Sequence, residues 1–210
     1  MLPRVFLIRH GETAWSLSGQ HTGVTDLPLT EAGRIVARRL GPALASQQFA
    51  LVLSSPRQRA VETAKLAGLG DRMQIDADLA EWSYGQYEGL TTAQIRERVA
   101  GWTVFTHPCP GGETGAQVAE RADRVLARAR AAGGAVALFS HGHMGRVLAA
   151  RWLGLPSEAG RFFVLGTATL NVLGHERETP AIEIWNAPLP VPETEEPRQE
   201  AAKPLPSPEG

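Results

Sequence analysis

The chain has 210 residues, 43% of them apolar and 20% charged, with a formal net charge of -1. That balance describes a soluble globular protein of one ordinary domain, and it lacks the basic excess that would invite nucleic acid. Cys109 is the only cysteine, which excludes an intrachain disulfide and a thiolate zinc site. The apolar part of MLPRVFLIRHG is too short for a signal peptide and no later run could span a bilayer, so the expected location is cytoplasmic, with no membrane partner.

RVFLI (4–8) is a short apolar run ended by polar residues and predicts a buried strand. TEAGRIVARRLGPALASQ (30–47) predicts a helix capped by Thr30, with an apolar stripe of Ile35, Val36, Leu40 and Leu44. ALVLSS (50–55) predicts a second strand, RQRAVETAKLAG (57–68) a helix closed by Gly68, and MQIDA (73–77) a third strand. Two helices are expected over 91–100 and 113–132, the second stopped by Gly133-Gly134. AVALFS (135–140) is a fourth strand, followed by a helix through 144–154, and RFFVLG, TLNVLGHE and AIEIWN are strand-like.

This alternation predicts a three-layer α/β/α sandwich with a mostly parallel sheet, to which the late strands add an antiparallel edge. The domain spans 1–186. From Ala187 the composition changes: residues 187–210 hold seven of the fifteen prolines and no aromatic residue, as expected of a disordered or loosely attached tail. Its PLPVP and PLPSP runs could offer polyproline-type segments to a partner, although such tails usually serve as linkers or ends.

Three predicted strands end in polar groups of complementary chemistry. They are Arg9-His10-Gly11-Glu12-Thr13, Ser54-Ser55-Pro56-Arg57-Gln58-Arg59, and Ser140-His141-Gly142-His143. In a parallel sheet such groups collect at the carboxyl ends of the strands. Arginine forks, glycine turns and helix N-termini together suit a phosphoryl group. The HGH run could hold a metal as a histidine pair, but no third ligand stands at a recognisable spacing, so no metal site is assigned.

RHGET, RAVETA, LAEWSYGQYEG and SHGH, in that order from about Arg4 to Leu155, resemble the histidine phosphatase superfamily with its phosphoglycerate mutase-like fold. WSxSGQ, SPRxR and EWxYGxYEG are most similar to the branch of sedoheptulose-bisphosphatase-like enzymes and small acid phosphatases. The resemblance implies that His10 is a nucleophile forming a phosphohistidine, that Arg9, Arg59, His141 and Gly142 bind phosphate oxygens, and that Glu81 is the acid and then the base. It places Ser16, Thr22, Gly23 and Tyr84 against substrate. Ser16 replaces the more usual asparagine, and its hydroxyl or a water would fill that place. Arg57 either reaches a second anionic group or faces solvent, Glu62 is a solvated or paired side chain, and His143 belongs to packing or the rim.

The expected activity is cofactor-free hydrolysis of small phosphorylated metabolites, either sugar phosphates or a broad range of monoesters. A 2,3-bisphosphoglycerate-dependent phosphoglycerate mutase is the alternative, but 99–120 contains no lysine or arginine to clamp a second anionic group. A sugar bisphosphate would depend on Arg57 or an arginine such as Arg98. A non-catalytic phospho-ligand binding protein is the third reading, opposed by the presence together of His10, both arginines, Glu81 and His141. No oligomeric state is read from the sequence.

Overall fold

Successive side chains of a strand point to opposite faces, and β1 (Val5–Arg9) is apolar on both: Val5 and Leu7 join one core cluster, Phe6 and Ile8 the other. A strand of this kind needs cover on two sides. In the computed structural model, which describes residues 2–189, that cover makes a three-layer α/β/α sandwich. Helices α5 (Gly115–Ala131) and α6 (Gly142–Trp152) bury Val118, Val125, Leu126, Val147 and Leu148 against Leu7 and Leu138. Helices α2 (Glu31–Ala45) and α3 (Gln58–Leu66) bury Leu40, Leu44 and Ala64 against Ile8, Val52 and Phe139. Each large apolar side chain so enclosed contributes about 1.5–3 kcal/mol relative to exposure.

The sheet runs in the order β3 (Met73–Ile75), β2 (Phe49–Ser54), β4 (Ala135–Ser140), β1, β5 (Leu170–Glu176), β6 (Thr179–Ala187). The first four are mutually parallel, and β5 and β6 form the antiparallel edge. Thr30 caps α2 as expected, its hydroxyl accepting from the Gly33 N–H at 2.9 Å.

Two local expectations are corrected. RFFVLG is no strand: Ser157–Phe162 form a 3-10 helix and the chain then runs irregularly, leaving Phe162 and Val164 exposed. Both edges of β1 are taken, by β4 and β5, so this run does not pair with β1. The helix over 91–100 shrinks to α4 (Thr92–Arg96), closed by turns before Gly101, whose φ of 71° few other residues adopt. Ala14–Ser18 forms a short helix, α1, that the sequence did not announce. Of the expected tail, Ala187 ends β6 and Leu189 packs on the core, while 190–210 lie outside the described residues.

Candidate active site

Register brings the polar strand ends together. Arg9 pairs with Ser140 across β1 and β4, and Ser54 with Phe139 across β2 and β4. His10 and His141 therefore leave the sheet side by side, their ring centroids 5.2 Å apart, and the His10 N–H donates to the Ser140 carbonyl at 2.9 Å. A crevice of about 200 Å³ opens there, lined by Arg9, His10, Ser16, Thr22, Glu81, Tyr84 and Gly142 among others.

His10 is buried, with Nδ1 2.7 Å from the Gly11 carbonyl. A carbonyl only accepts, so Nδ1 carries the hydrogen and Nε2 the lone pair. Burial, and then the charges of Arg9 and Arg59, hold its pKa well below the ordinary histidine value. The turn after it is tight: a Cβ on Gly11 would stand 2.7 Å from the Gly33 carbonyl oxygen. Thr63, within α3, accepts the Gly11 N–H at 2.9 Å.

The two expected arginines are held differently. Arg9 donates from Nη1 to the Leu165 carbonyl at 2.7 Å, while its Nε is enclosed with no hydrogen-bond partner among the described residues. Arg59 is fully buried and already engaged. Its Nη1 donates to the Thr25 carbonyl at 2.9 Å, Nη2 to Thr22 and Gly23 at 3.0 and 3.3 Å, and Nε to Nδ1 of His141 at 3.2 Å. With Nδ1 accepting, His141 bears its hydrogen on Nε2, which donates to the Ser55 hydroxyl at 2.7 Å. Burial first, and then Arg59, lower its pKa well below the usual range. Arg59 and His141 thus form a rigid layer behind the crevice lining, in contact with each other.

Glu81 caps α6. His141 occupies the N-cap position without a side-chain bond, and the Glu81 carboxylate supplies the missing acceptors from another loop. Oε1 accepts from the N–H groups of Met144 at 2.8 Å and Trp82 at 2.9 Å, and Oε2 from His143 at 2.9 Å. The cap leaves out Gly142, which lies between two side chains: a Cβ there would stand 3.4 Å from Cζ of Arg9 and 3.6 Å from Oε2 of Glu81.

The remaining expected residues fall around this centre. The Ser16 hydroxyl lies in the capping box of α1, accepting from the Thr13 N–H at 2.9 Å and donating to the Thr13 carbonyl at 3.0 Å, with its residue on the crevice wall. Thr22 lines the crevice, and Gly23 lies behind it, its N–H donating to Glu88. Tyr84 is buried, its hydroxyl 2.6 Å from Nδ1 of His143, which also lines the crevice. Arg57 keeps an enclosed Nε without a partner among the described residues but lines neither the crevice nor the cavity beside it, and Arg98 is absent from both. Glu62 pairs with Arg34 at 2.6 Å. Sequence reasoning missed Glu88, Thr63 and Ser55, which brace the site from behind, and Arg146, which lines it. For Arg146 a signal existed, since it lies four residues after Gly142, one helical turn along the face that opens α6.

Among the described residues no group of three or more His, Cys, Asp or Glu side chains could hold a metal ion, and no helix is long and apolar enough to cross a membrane. The sheet order, with its antiparallel edge and its histidine and arginine crevice at the parallel strand ends, defines the phosphoglycerate mutase-like class of α/β proteins. Within that class the chain belongs to the histidine phosphatase superfamily (branch 1), whose family model matches residues 5–188, and it is an enzyme of that kind. It is 44% identical over 195 residues to an acid phosphatase of Mycobacterium tuberculosis, covering 90% of this chain and 96% of that one. It is 36% identical over 187 residues to sedoheptulose 1,7-bisphosphatase of Saccharomyces cerevisiae, covering 74% and 69%. A solved structure of an open reading frame from Mycobacterium tuberculosis superposes with a TM-score of 0.83 at 43% identity, covering 88% of this chain and 97% of that one.

Proposed function

We propose that the chain hydrolyses phosphomonoesters of small metabolites through a phosphohistidine on His10. The wiring of the His10 ring carries this reading: Nδ1 faces the Gly11 carbonyl at 2.7 Å, which leaves Nε2 as a neutral nucleophile. In the first step the Nε2 lone pair forms the N–P bond as the P–O bond to the leaving group breaks. Glu81, protonated, gives its hydrogen to the departing alkoxide. In the second step the Glu81 carboxylate takes a proton from water, the resulting hydroxide bonds to phosphorus, and the N–P bond returns its electrons to Nε2. Free phosphate leaves and Glu81 is again protonated.

The charge on the equatorial oxygens of a loose transition state is met by the Arg9 guanidinium, which lines the crevice, and by the Gly142 N–H. Arg59 adds its charge from the layer behind, and His141 keeps that guanidinium oriented through the Nε–Nδ1 bond. Hydrolysis is favoured over mutase chemistry because 99–120 supplies no lysine or arginine to retain a second substrate while the phosphohistidine waits. The acid phosphatase and sedoheptulose 1,7-bisphosphatase among the relatives support small phosphorylated metabolites as substrates.

The test is release of inorganic phosphate, with EDTA present, from p-nitrophenyl phosphate, sugar phosphates and 3-phosphoglycerate with catalytic 2,3-bisphosphoglycerate, beside His10→Ala. Release that survives EDTA and disappears in the variant is the expected result. Conversion of 3-phosphoglycerate to 2-phosphoglycerate with little free phosphate would establish the mutase instead, and silence on every ester would leave a binding protein.

A further inference from the structure

A second cavity of about 210 Å³ lies against the crevice, and the two share His21, Thr92, His143 and Arg146 in their walls. Arg96 and Arg161 also line the second cavity. His21 and His143 form a stacked pair at the junction, their ring centroids 5.8 Å apart with 12° between the planes. Both line the same crevice as His10, yet neither takes part in the steps assigned to His10 and Glu81.

Each ring is wired at Nδ1. That of His21 lies 2.8 Å from the Leu90 carbonyl, which only accepts, so Nδ1 carries the hydrogen and Nε2 the lone pair. The same carbonyl takes the His21 backbone N–H at 2.9 Å, which holds the residue in place. In His143, Nδ1 lies 2.6 Å from the Tyr84 hydroxyl. No other acceptor among the described residues meets that hydroxyl, so its hydrogen goes to Nδ1 and His143 carries its own on Nε2. Burial keeps both rings neutral by lowering their pKa values. The two Nε2 atoms therefore differ: His143 offers a donor and His21 an acceptor. Neither has a hydrogen-bond partner among the described residues, and neither is sealed from solvent, unlike the enclosed Nε of Arg9 and of Arg57.

Arginine charge attracts any anion, hydroxylated or not, so selection among phosphates falls to neutral groups. A carboxylate oxygen could use only the donor of this pair, and an ammonium only the acceptor. Hydroxyl groups use both. An alkyl chain placed there would shut both Nε2 atoms away from water unpaired, which costs more than one hydrogen bond gains. We propose that His21 and His143 are a hydroxyl-reading pair, selecting polyol and sugar phosphates by hydroxyl groups on the carbon chain beyond the reacting ester. Tyr84 acts through His143, as the positioning residue that sets its tautomer. That the ester end lies at His10 rests on the hydrolase reading above.

Binding tests this apart from turnover. His10→Ala protein is titrated calorimetrically with glycerol 3-phosphate against propyl phosphate, and with erythritol 4-phosphate against butyl phosphate. Both members of a pair carry the same charge, so the arginines contribute equally to each. The hydroxylated member of at least one pair should bind about tenfold more tightly. His21→Phe and His143→Phe should each bring that ratio towards one. His143→Gln, which can still accept from Tyr84 and donate beyond it, should keep part of the preference. Should a phenylalanine variant fail to fold, nitrogen NMR of the His10→Ala protein decides. The spectra should place the hydrogen on Nδ1 of His21 and on Nε2 of His143, and both Nε2 signals should move with the hydroxylated ligand and not with its alkyl counterpart. Equal affinity within both pairs, the opposite tautomer of either ring, or a preference that both phenylalanine variants leave intact would overturn the pair. Failure of the wild-type protein to release phosphate would instead overturn the hydrolase reading, and the affinity ratios would still decide the pair.

Discussion

The hydroxyl of Thr63 accepts the N–H of Gly11 at 2.9 Å, across 52 positions of sequence, and donates to the Arg59 carbonyl at 2.6 Å. One side chain thereby ties the turn after His10 to the helix that carries Arg59. Thr63→Val keeps the shape and removes both bonds, leaving the Gly11 N–H buried and unpaired. A stability loss of about 1–3 kcal/mol follows, read from the urea midpoint. The positioning role predicts more: kcat should fall while KM changes little, and Thr63→Ser should restore most of it. Equal changes in kcat and KM would leave Thr63 a structural residue only.

Four histidines, His10, His21, His141 and His143, have pKa values lowered chiefly by burial. In the unfolded chain each titrates near 6.5, so below that value the unfolded state binds protons that the fold refuses. Stability is therefore complete above about pH 6.5 and is lost as pH falls from there towards the folded values, by up to about 1.4 kcal/mol per pH unit for each histidine held neutral. Urea unfolding at a series of pH values reads that slope. Activity should behave differently over the range in which the fold persists. His10 stays neutral, so kcat/KM, once corrected for the ionisation of the substrate's own phosphate at about pH 6, should show no further acid limb with a midpoint near 6.5, and such a limb would contradict the buried environment of His10.

Glu81→Gln keeps the size of the side chain but replaces one acceptor by an amide donor facing an N–H. Hydrolysis of an alkyl phosphate, whose leaving group needs a proton, should slow by about 10²–10⁴-fold. Cleavage of p-nitrophenyl phosphate, with its better leaving group, should lose far less in the burst of nitrophenol. A second effect follows from the cap: the thermal midpoint should also drop, since the first turn of α6 loses an acceptor. Equal slowing on both esters would argue that the substitution acts through structure alone.

The layers and the centre of the site are legible in the sequence because each rests on local pattern. RVFLI and AVALFS read as strands, and both strands hand over to a histidine with glycine behind it. Glu81 is placed by resemblance; its role as a cap depends on two loops meeting, which no spacing encodes. RFFVLG has the composition of a strand, yet its first two residues end a 3-10 helix and the rest run irregularly, with Val164 exposed on the surface. Arg59 reads as a phosphate ligand from its motif, while its donors in the fold go to the carbonyls of Thr22, Gly23 and Thr25, a use fixed by the path of a loop thirty-odd residues earlier. The arginines beside the crevice come from α4, α6 and the 3-10 helix that follows it, not from 99–120, where a mutase would carry its second clamp.

Glu81 holds two posts at once, as the proton carrier of the proposed reaction and as the acceptor that completes α6. A descendant of this chain could abandon the reaction by changing His10 and still need a carboxylate at 81 to keep its helix seated. Glutamate at that position would then outlive activity. In a set of such chains the imidazole, not the carboxylate, is the marker that separates working catalysts from inherited shapes.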